Sequence, residues 1–296
     1  MIFLLTGASG FLGKIITATL EETEILTLGR FNANIITDLC KEIPDIPVVD
    51  SVIHAAGKAH SLPFSKSEIH EFYNTNVTGT FNLLKGLEKN AKLPSSFIFI
   101  SSVAVYGLKK GVLISEDYAL DANDPYGESK IQAEKLVQAW CAKNFVCCSI
   151  LRLPLIAGPN PPGNLKSMIT GINKGYYFNV VNGAAKKSVV MAEDVARIIP
   201  IVAGIGGVFN LTDGHHPSFY ELSLLISKQL NKKNPASLPL TVARLLGIIG
   251  DLFGRRAPFN SAKLKKILSE LTFDDTRARK AIGWQPQKVI DAFYIK

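Results

Sequence analysis

The segment DPYGESK, residues 124–130, places Tyr126 and Lys130 four residues apart, just inside a helix start. Asp124 is a good N-cap, Pro125 suits the first helical position, and Glu128 falls in the first turn. Positions i and i+4 share a helix face, with Cβ atoms about 5–6 Å apart. A lysine so close to the N-terminus opposes the helix macrodipole, so helix stability does not explain it. Proton transfer does. Free tyrosine, with a pKa near 10, is protonated at neutral pH. An ammonium about 4 Å away, at an effective dielectric near 20, contributes roughly 4 kcal/mol, or about 3 pKa units before desolvation is subtracted. Tyr126 is then an acid/base for a substrate hydroxyl. An ordinary helix start is the alternative, and this segment alone does not separate the two.

A second group of residues points to a phosphate-bearing cofactor. FLLTGASGFLGKII, residues 3–16, puts Gly7, Gly10 and Gly13 directly after an apolar strand and at the start of a helix. Glycines there allow a tight turn and let backbone N–H groups approach a pyrophosphate beside the positive end of the helix. The loop Gly7, Gly10, Phe11, Leu12 and Gly13 is therefore expected to bind a dinucleotide. NAD sites usually end the second strand on an acidic residue that accepts from the ribose hydroxyls. Here ILTLGR ends on Gly29 and Arg30. Arg30 either pairs with a 2′-phosphate or is merely stacked on the adenine or solvated at a loop; the first tilts the expected cofactor, NAD or NADP, toward NADP(H).

The elements that position these residues alternate. Apolar runs at 1–6, 25–28, 51–55, 97–101 and 146–152 predict buried parallel strands, and the patterns at 11–21, 73–89 and 126–143 predict helices between them. The reading is an α/β fold, a Rossmann-type doubly wound parallel sheet. After GPNPPGN, residues 158–164, strict alternation stops. Residues 1–160 and 189–213 are expected to form the dinucleotide-binding domain, and 161–188 and 214–296 a smaller, interrupted C-terminal substrate domain.

With the glycine loop, ISSVAVYG (100–107) and PYGESK (125–130), the chain resembles the extended short-chain dehydrogenase/reductases. More narrowly it is similar to the nucleotide-sugar epimerase/dehydratase family that includes UDP-galactose 4-epimerase. That resemblance implies catalytic roles for Ser102, Tyr126 and Lys130. It places Asp38 and Leu39 by the adenine and Ala55, Ala56 and Gly57 beside the cofactor ribose. It also brings Asn76, Tyr126, Lys130 and Pro154 to the cofactor. For the substrate it implies Asn164 and Leu165 at the nucleotide diphosphate, while Ser102, at the carboxyl end of a strand, can hydrogen-bond the substrate oxygen. Lys187 stands where relatives often carry a phosphate-binding arginine, and a lysine lacks the bidentate fork. The implied activity is hydride exchange at C4 of a nucleotide-diphosphate sugar, as a 4-epimerase or a 4-keto-sugar reductase, in a homodimer. A 4,6-dehydratase is disfavoured, because Val103 and Ala104 stand where dehydratases of the family place an Asp-Glu pair. The C-terminal segments resemble enzymes of bacterial polysaccharide biosynthesis. A non-catalytic NADP(H)-binding regulator on the same fold is the alternative, against which the retained Ser102, Tyr126 and Lys130 speak.

Composition bounds the partners. Residues 231–296 hold 13 Lys and Arg against 5 Asp and Glu and so carry the whole net charge of +8. With no aromatic-basic interleaving, an anionic small molecule is expected rather than nucleic acid. ARLLGIIGDLFGRR, residues 243–256, is amphipathic and basic. It is read as a helix packed on its own domain, with transient membrane contact as the alternative. The longest uncharged apolar run, residues 198–209, is 12 residues, short of the roughly 20 that span a bilayer. The opening MIFLLTGASG shows no basic n-region or small-residue cleavage site, so a cytoplasmic chain without stable membrane insertion is expected. Four cysteines and five histidines (54, 60, 70, 215, 216) show no metal-ligand spacing and are read as structural, with no metal expected.

Overall fold

The computed structural model describes residues 1–21, 23–59, 65–254 and 259–295. His60 and the Arg255–Arg256 end of the basic segment lie outside the described residues. The first half runs β1 (Ile2–Thr6), α1 (Phe11–Thr19), β2 (Glu24–Gly29), β3 (Ile35–Ile36), β4 (Ser51–His54), α2 (Lys66–Tyr73), α3 (Gly79–Leu87) and β5 (Ser96–Ser102). It continues through β6 (Gly111–Ile114), α4 (Pro125–Asn144), β7 (Cys147–Leu153) and β8 (Leu155–Ala157). Then come α5 (Gly163–Asn173), β9 (Asn179–Val180), β10 (Val189–Met191), α6 (Ala192–Ile205) and β11 (Gly207–Asn210). The C-terminal part holds α7 (Phe219–Gln229), β12 (Ser237–Leu238), α8 (Leu240–Leu252), α9 (Ser261–Leu268), β13 (Leu271–Phe273), α10 (Thr276–Ile282) and α11 (Val289–Ala292).

Seven strands form one parallel sheet in the order β11-β7-β5-β4-β1-β2-β3. Strands with both faces covered must be apolar throughout, and β1, β4 and β5 are nearly all buried. The period of two sorts their side chains: Phe3, Leu5, Ile53 and Ile98 pack under α1 and α6, while Leu4, Val52 and Phe97 pack under α3 and α4. Strand order reverses between β1 and β4. In a doubly wound sheet, the crevice at the carboxyl ends beside that switch point is where a ligand binds.

A separate core joins Leu165, Met168, Val189, Leu222, Ile226, Val289 and Phe293 in the C-terminal lobe. The chain does not stay there. Ala278, Ile282 and Trp284 return to the first core under α6, and the Trp284 indole donates to the Thr212 carbonyl at 2.9 Å. The single helix expected over 73–89 is instead α2, a π-helical turn at Asn74–Thr78, and α3. An inserted residue of this kind re-aims side chains within a helix, and here the turn contains the buried Asn76.

Candidate active site

The glycine turn is built by close approach. Gly7 has φ +76°, and a Cβ on it would lie 2.6 Å from the Ala56 nitrogen. A Cβ on Gly13 would lie 2.1 Å from the Gly7 carbonyl oxygen, so α1 can start this close to the turn only with glycine there. Gly10 caps α1 without a side-chain bond and no acidic residue occupies the first turn, which leaves the helix end suited to an anion. Leu12 is buried in the core and the Phe11 ring lies against Gly158, so their side chains point away from the turn and leave their backbone N–H groups at the start of α1. At the end of β2, Arg30 is exposed and its charge reaches Cys40. Asp38 accepts from the Cys40 N–H at 3.1 Å, and the Leu39 carbonyl accepts from Asn82 at 2.8 Å. These residues fit a dinucleotide.

Behind the turn, His54 braces two strands and a helix. Its Nδ1 and Nε2 bond the hydroxyls of Thr6 at 2.6 Å and Thr80 at 2.9 Å, and Thr6 Oγ1 accepts from the Ala56 N–H at 3.2 Å. Burial first, then the Lys130 charge, push the His54 pKa down to about 3, so the ring is neutral. The segment 55–57 is thereby held toward the crevice. A Cβ on Gly57 would meet Asn76 Oδ1 at 3.0 Å and Lys130 Nζ at 3.3 Å. Asn76 accepts from the Lys58 N–H at 2.8 Å and donates to the Lys58 carbonyl at 3.1 Å and to Ser129 Oγ at 2.9 Å. It ties the end of β4 to α4.

Ser102 ends β5, its hydroxyl accepts from the Ala104 N–H at 3.2 Å, and it faces the Tyr126 phenol, favouring the ionised form. Asp124 caps α4 through the Gly127 N–H at 3.1 Å, as its position predicts. The Tyr126 pKa stands above its ordinary value: burial raises it, the Ser102 hydroxyl lowers it, and the Asp124 charge raises it. Lys130 donates to the Ile100 carbonyl at 2.8 Å, and its Nζ lies 4.5 Å from the Phe99 ring centroid. Burial pushes its pKa down to about 8, opposed by Glu134. This corrects one expectation. Lys130 is turned toward Ile100 and Gly57, and burial rather than the ammonium dominates at Tyr126.

The crevice thus brings together Gly7, the 55–57 segment, Asn76, Ser102, Tyr126 and Lys130. Pro154 joins β7 to β8 and is half-buried. Asn164 is exposed in the first turn of α5, while the Leu165 side chain is buried in the C-terminal core. Lys187 is half-buried, donates to the Ser269 carbonyl at 2.7 Å, and has its pKa lowered to about 8 by burial. Leu165 and Lys187 thus have contacts of their own away from the crevice. Sequence reading passed over Glu134 and Arg152, which form a buried pair one turn behind Lys130. The i, i+4 spacing of Lys130 and Glu134 was the available signal. Among the described residues, no group of three or more His, Cys, Asp or Glu is arranged to hold a metal.

Residues 3–210 match the model of the NAD dependent epimerase/dehydratase family. The chain is 28% identical to the N-acetyl-alpha-D-glucosaminyl-diphospho-ditrans,octacis-undecaprenol 4-epimerase of Escherichia coli O157:H7, over 94% of this chain and 88% of that protein. It is 27% identical to the UDP-glucose 4-epimerase of Vibrio cholerae, over 97% of this chain and 91% of that protein. In fold it matches the solved UDP-glucose 4-epimerase from Bifidobacterium longum, in complex with NAD+ and UDP. The TM-score is 0.75 at 20% identity, covering 99% of this chain and 96% of that one.

Proposed function

Because the chain belongs to the NAD-dependent epimerase/dehydratase family, we propose that it acts at C4 of a nucleotide-diphosphate hexose or N-acetylhexosamine, as an NAD(P)-dependent 4-epimerase or 4-keto-sugar reductase. The observation that carries this reading is the convergence of Ser102 and Tyr126 at the strand ends beside the glycine turn, with Lys130 against Gly57. Gly7, Gly10, Phe11, Leu12 and Gly13 would hold the pyrophosphate, and Asn76, Lys130 and the 55–57 segment the nicotinamide half. A bound nicotinamide would supply the hydride chemistry at C4. Tyr126 takes the hydroxyl proton at its phenol oxygen and returns it to the 4-keto oxygen. Ser102 holds that oxygen in line, and its hydroxyl favours the ionised phenol. Asn164, Leu165 and Lys187 remain the proposed contacts to the diphosphate.

A second carrier for the sugar is favoured by one likeness: the Escherichia coli relative is named for a sugar on undecaprenyl diphosphate. The pyrophosphoryl hexose is common to both carriers. The test is to identify the cofactor released from the purified protein, then to screen UDP- and dTDP-sugars and a polyprenyl diphosphate sugar for turnover. Retained NAD with interconversion of C4 epimers supports an epimerase. Exchangeable NADPH with reduction of a 4-keto sugar supports a reductase. Bound NADP(H) with no turnover of any sugar would favour the regulator. Arg30→Ala should weaken NADP(H) binding more than NAD(H) binding in equilibrium titrations, and equal losses would remove Arg30 from the 2′-phosphate.

A further inference from the structure

Helix α8 packs on its own lobe through its smallest residues and turns its largest to the surface. Ala243, Gly247 and Gly250 are its buried positions. A Cβ on Gly250 would lie 1.9 Å from the Phe259 carbonyl oxygen, and Ala243 packs with Val180 and Leu264. At about 100° per residue, the large apolar side chains fill an arc of about 160° facing away from that contact. Leu245 and Ile248 are each 60% exposed, Leu252 83% and Phe253 73%, and Leu246 and Ile249 extend the same face. Arg244 and Asp251 sit together at one border of the arc. Contiguous apolar surface of this kind marks an interaction site rather than an ordinary solvated helix.

Charge selects the partner. The segment 231–296 carries the whole net charge of +8. Within it, α9 packs beside α8 and presents exposed Lys265 and Lys266, while Lys232 and Lys233 are exposed before β12. Two copies meeting through α8 would set this basic region against itself, a like-charge juxtaposition that association disfavours. An anionic lipid surface complements it. A helix of 13 residues is about 20 Å long, too short to cross a hydrocarbon core of about 30 Å, but it can lie in the interface with side chains about 5–10 Å deep. We infer that α8 is an interfacial docking helix that seats this protein on an anionic bilayer, with its apolar arc at the acyl boundary and the neighbouring lysines on headgroups. This goes beyond the proposed function and holds for either carrier of the sugar.

The test is co-sedimentation of the full chain with vesicles of phosphatidylcholine plus phosphatidylglycerol, against phosphatidylcholine alone. The chain should pellet with the anionic vesicles and be released by salt. The triple variant Leu245→Ser/Ile248→Ser/Leu252→Ser should lose binding by at least about tenfold. All three side chains are exposed, so the variant should melt with the parent and turn over soluble substrate at the parental rate. The single variant Leu252→Glu, at the most exposed position, should show the same direction of loss. Failure to bind either vesicle, or equal binding by parent and variants, would overturn the inference. So would a parental dimer that the triple variant converts to monomers, which would assign the face to a second copy. Vesicle binding is read without substrate, so its failure leaves the epimerase reading standing.

Discussion

At the Tyr126 phenol, burial and the Ser102 hydroxyl pull in opposite directions, and the balance sets the pH at which the group exchanges a proton. Tyr126→Phe keeps the ring beside Phe72 and removes the oxygen, so turnover should fall at least about a hundredfold with cofactor affinity unchanged. Near-normal turnover in steady-state assays would take Tyr126 out of the mechanism. Ser102→Ala removes the contact that lowers the phenol pKa. The ascending, low-pH limb of the oxidation should therefore move to higher pH, and raising the pH should restore part of the lost rate. A uniform loss across pH would instead confine Ser102 to holding the substrate. The two residues after Ser102 decide another reaction. Val103 and Ala104 open the 3-10 turn at Val103–Tyr106, and neither side chain can donate or accept a proton. Elimination of water across C5 and C6 needs an acid and a base beyond the tyrosine, each worth about 10²–10⁴-fold. Incubation with NAD and UDP-glucose, UDP-GlcNAc or dTDP-glucose should therefore show no loss of water by mass spectrometry. A 4-keto-6-deoxy product at an ordinary enzymatic rate would refute this.

The element that carries the tyrosine and lysine is α4, and its attachment to the sheet is polar as well as apolar. Glu134 accepts from Arg152 at 3.1 and 2.8 Å, and Ser101 donates to the same carboxylate. Arg152 also donates to the Tyr106 hydroxyl at 3.0 Å, which donates to Asn210 at 2.8 Å, so α4, β7 and β11 share one buried network. Arg152→Met strands the Glu134 charge and should cost about 3–5 kcal/mol in urea unfolding. Adding Glu134→Gln should recover part of that loss, and additive losses would show that the pair is not coupled. The helix itself was legible, because Asp124, Pro125 and Glu128 mark its start with local chemistry. So were β1, β4 and β5, whose apolar runs need no partner to be recognised. The π-helical turn at Asn74–Thr78 was not legible, since an inserted residue leaves the helical apolar pattern on both sides intact. Nor was the turning of Lys130 toward Ile100, because a spacing of four residues places two side chains on one face but does not fix where each points.

Across the whole molecule, what sequence patterns conveyed weakens toward the C-terminus for a physical reason. Parallel strands and their helices repeat a local period, whereas the second lobe is assembled from short strands and from contacts between distant segments. Trp284 reaching the Thr212 carbonyl, or β13 pairing with β6, has no periodic signature. The same holds for α8, whose amphipathic pattern predicts a helix, while glycine-sized packing decides which face turns inward. One buried group at the centre ties the site to global stability. His54 has its pKa near 3 in the folded chain, against about 6.5 when unfolded. The unfolded chain therefore takes up the proton first as pH falls. Stability from this group is complete above about pH 6.5 and is lost progressively toward pH 3. Between pH 7 and 5, His54 alone should remove about 2 kcal/mol from the unfolding free energy. His216, also lowered by burial, adds in the same direction. His54→Asn cannot titrate, so although less stable at pH 7 for want of the Thr6 and Thr80 bonds, it should lose about 2 kcal/mol less over that interval. Urea titrations of parent and variant at the two pH values measure the difference directly. Equal pH dependence in the two would mean that His54 is already protonated in the folded chain, and that the neutral brace behind the 55–57 segment is wrongly assigned.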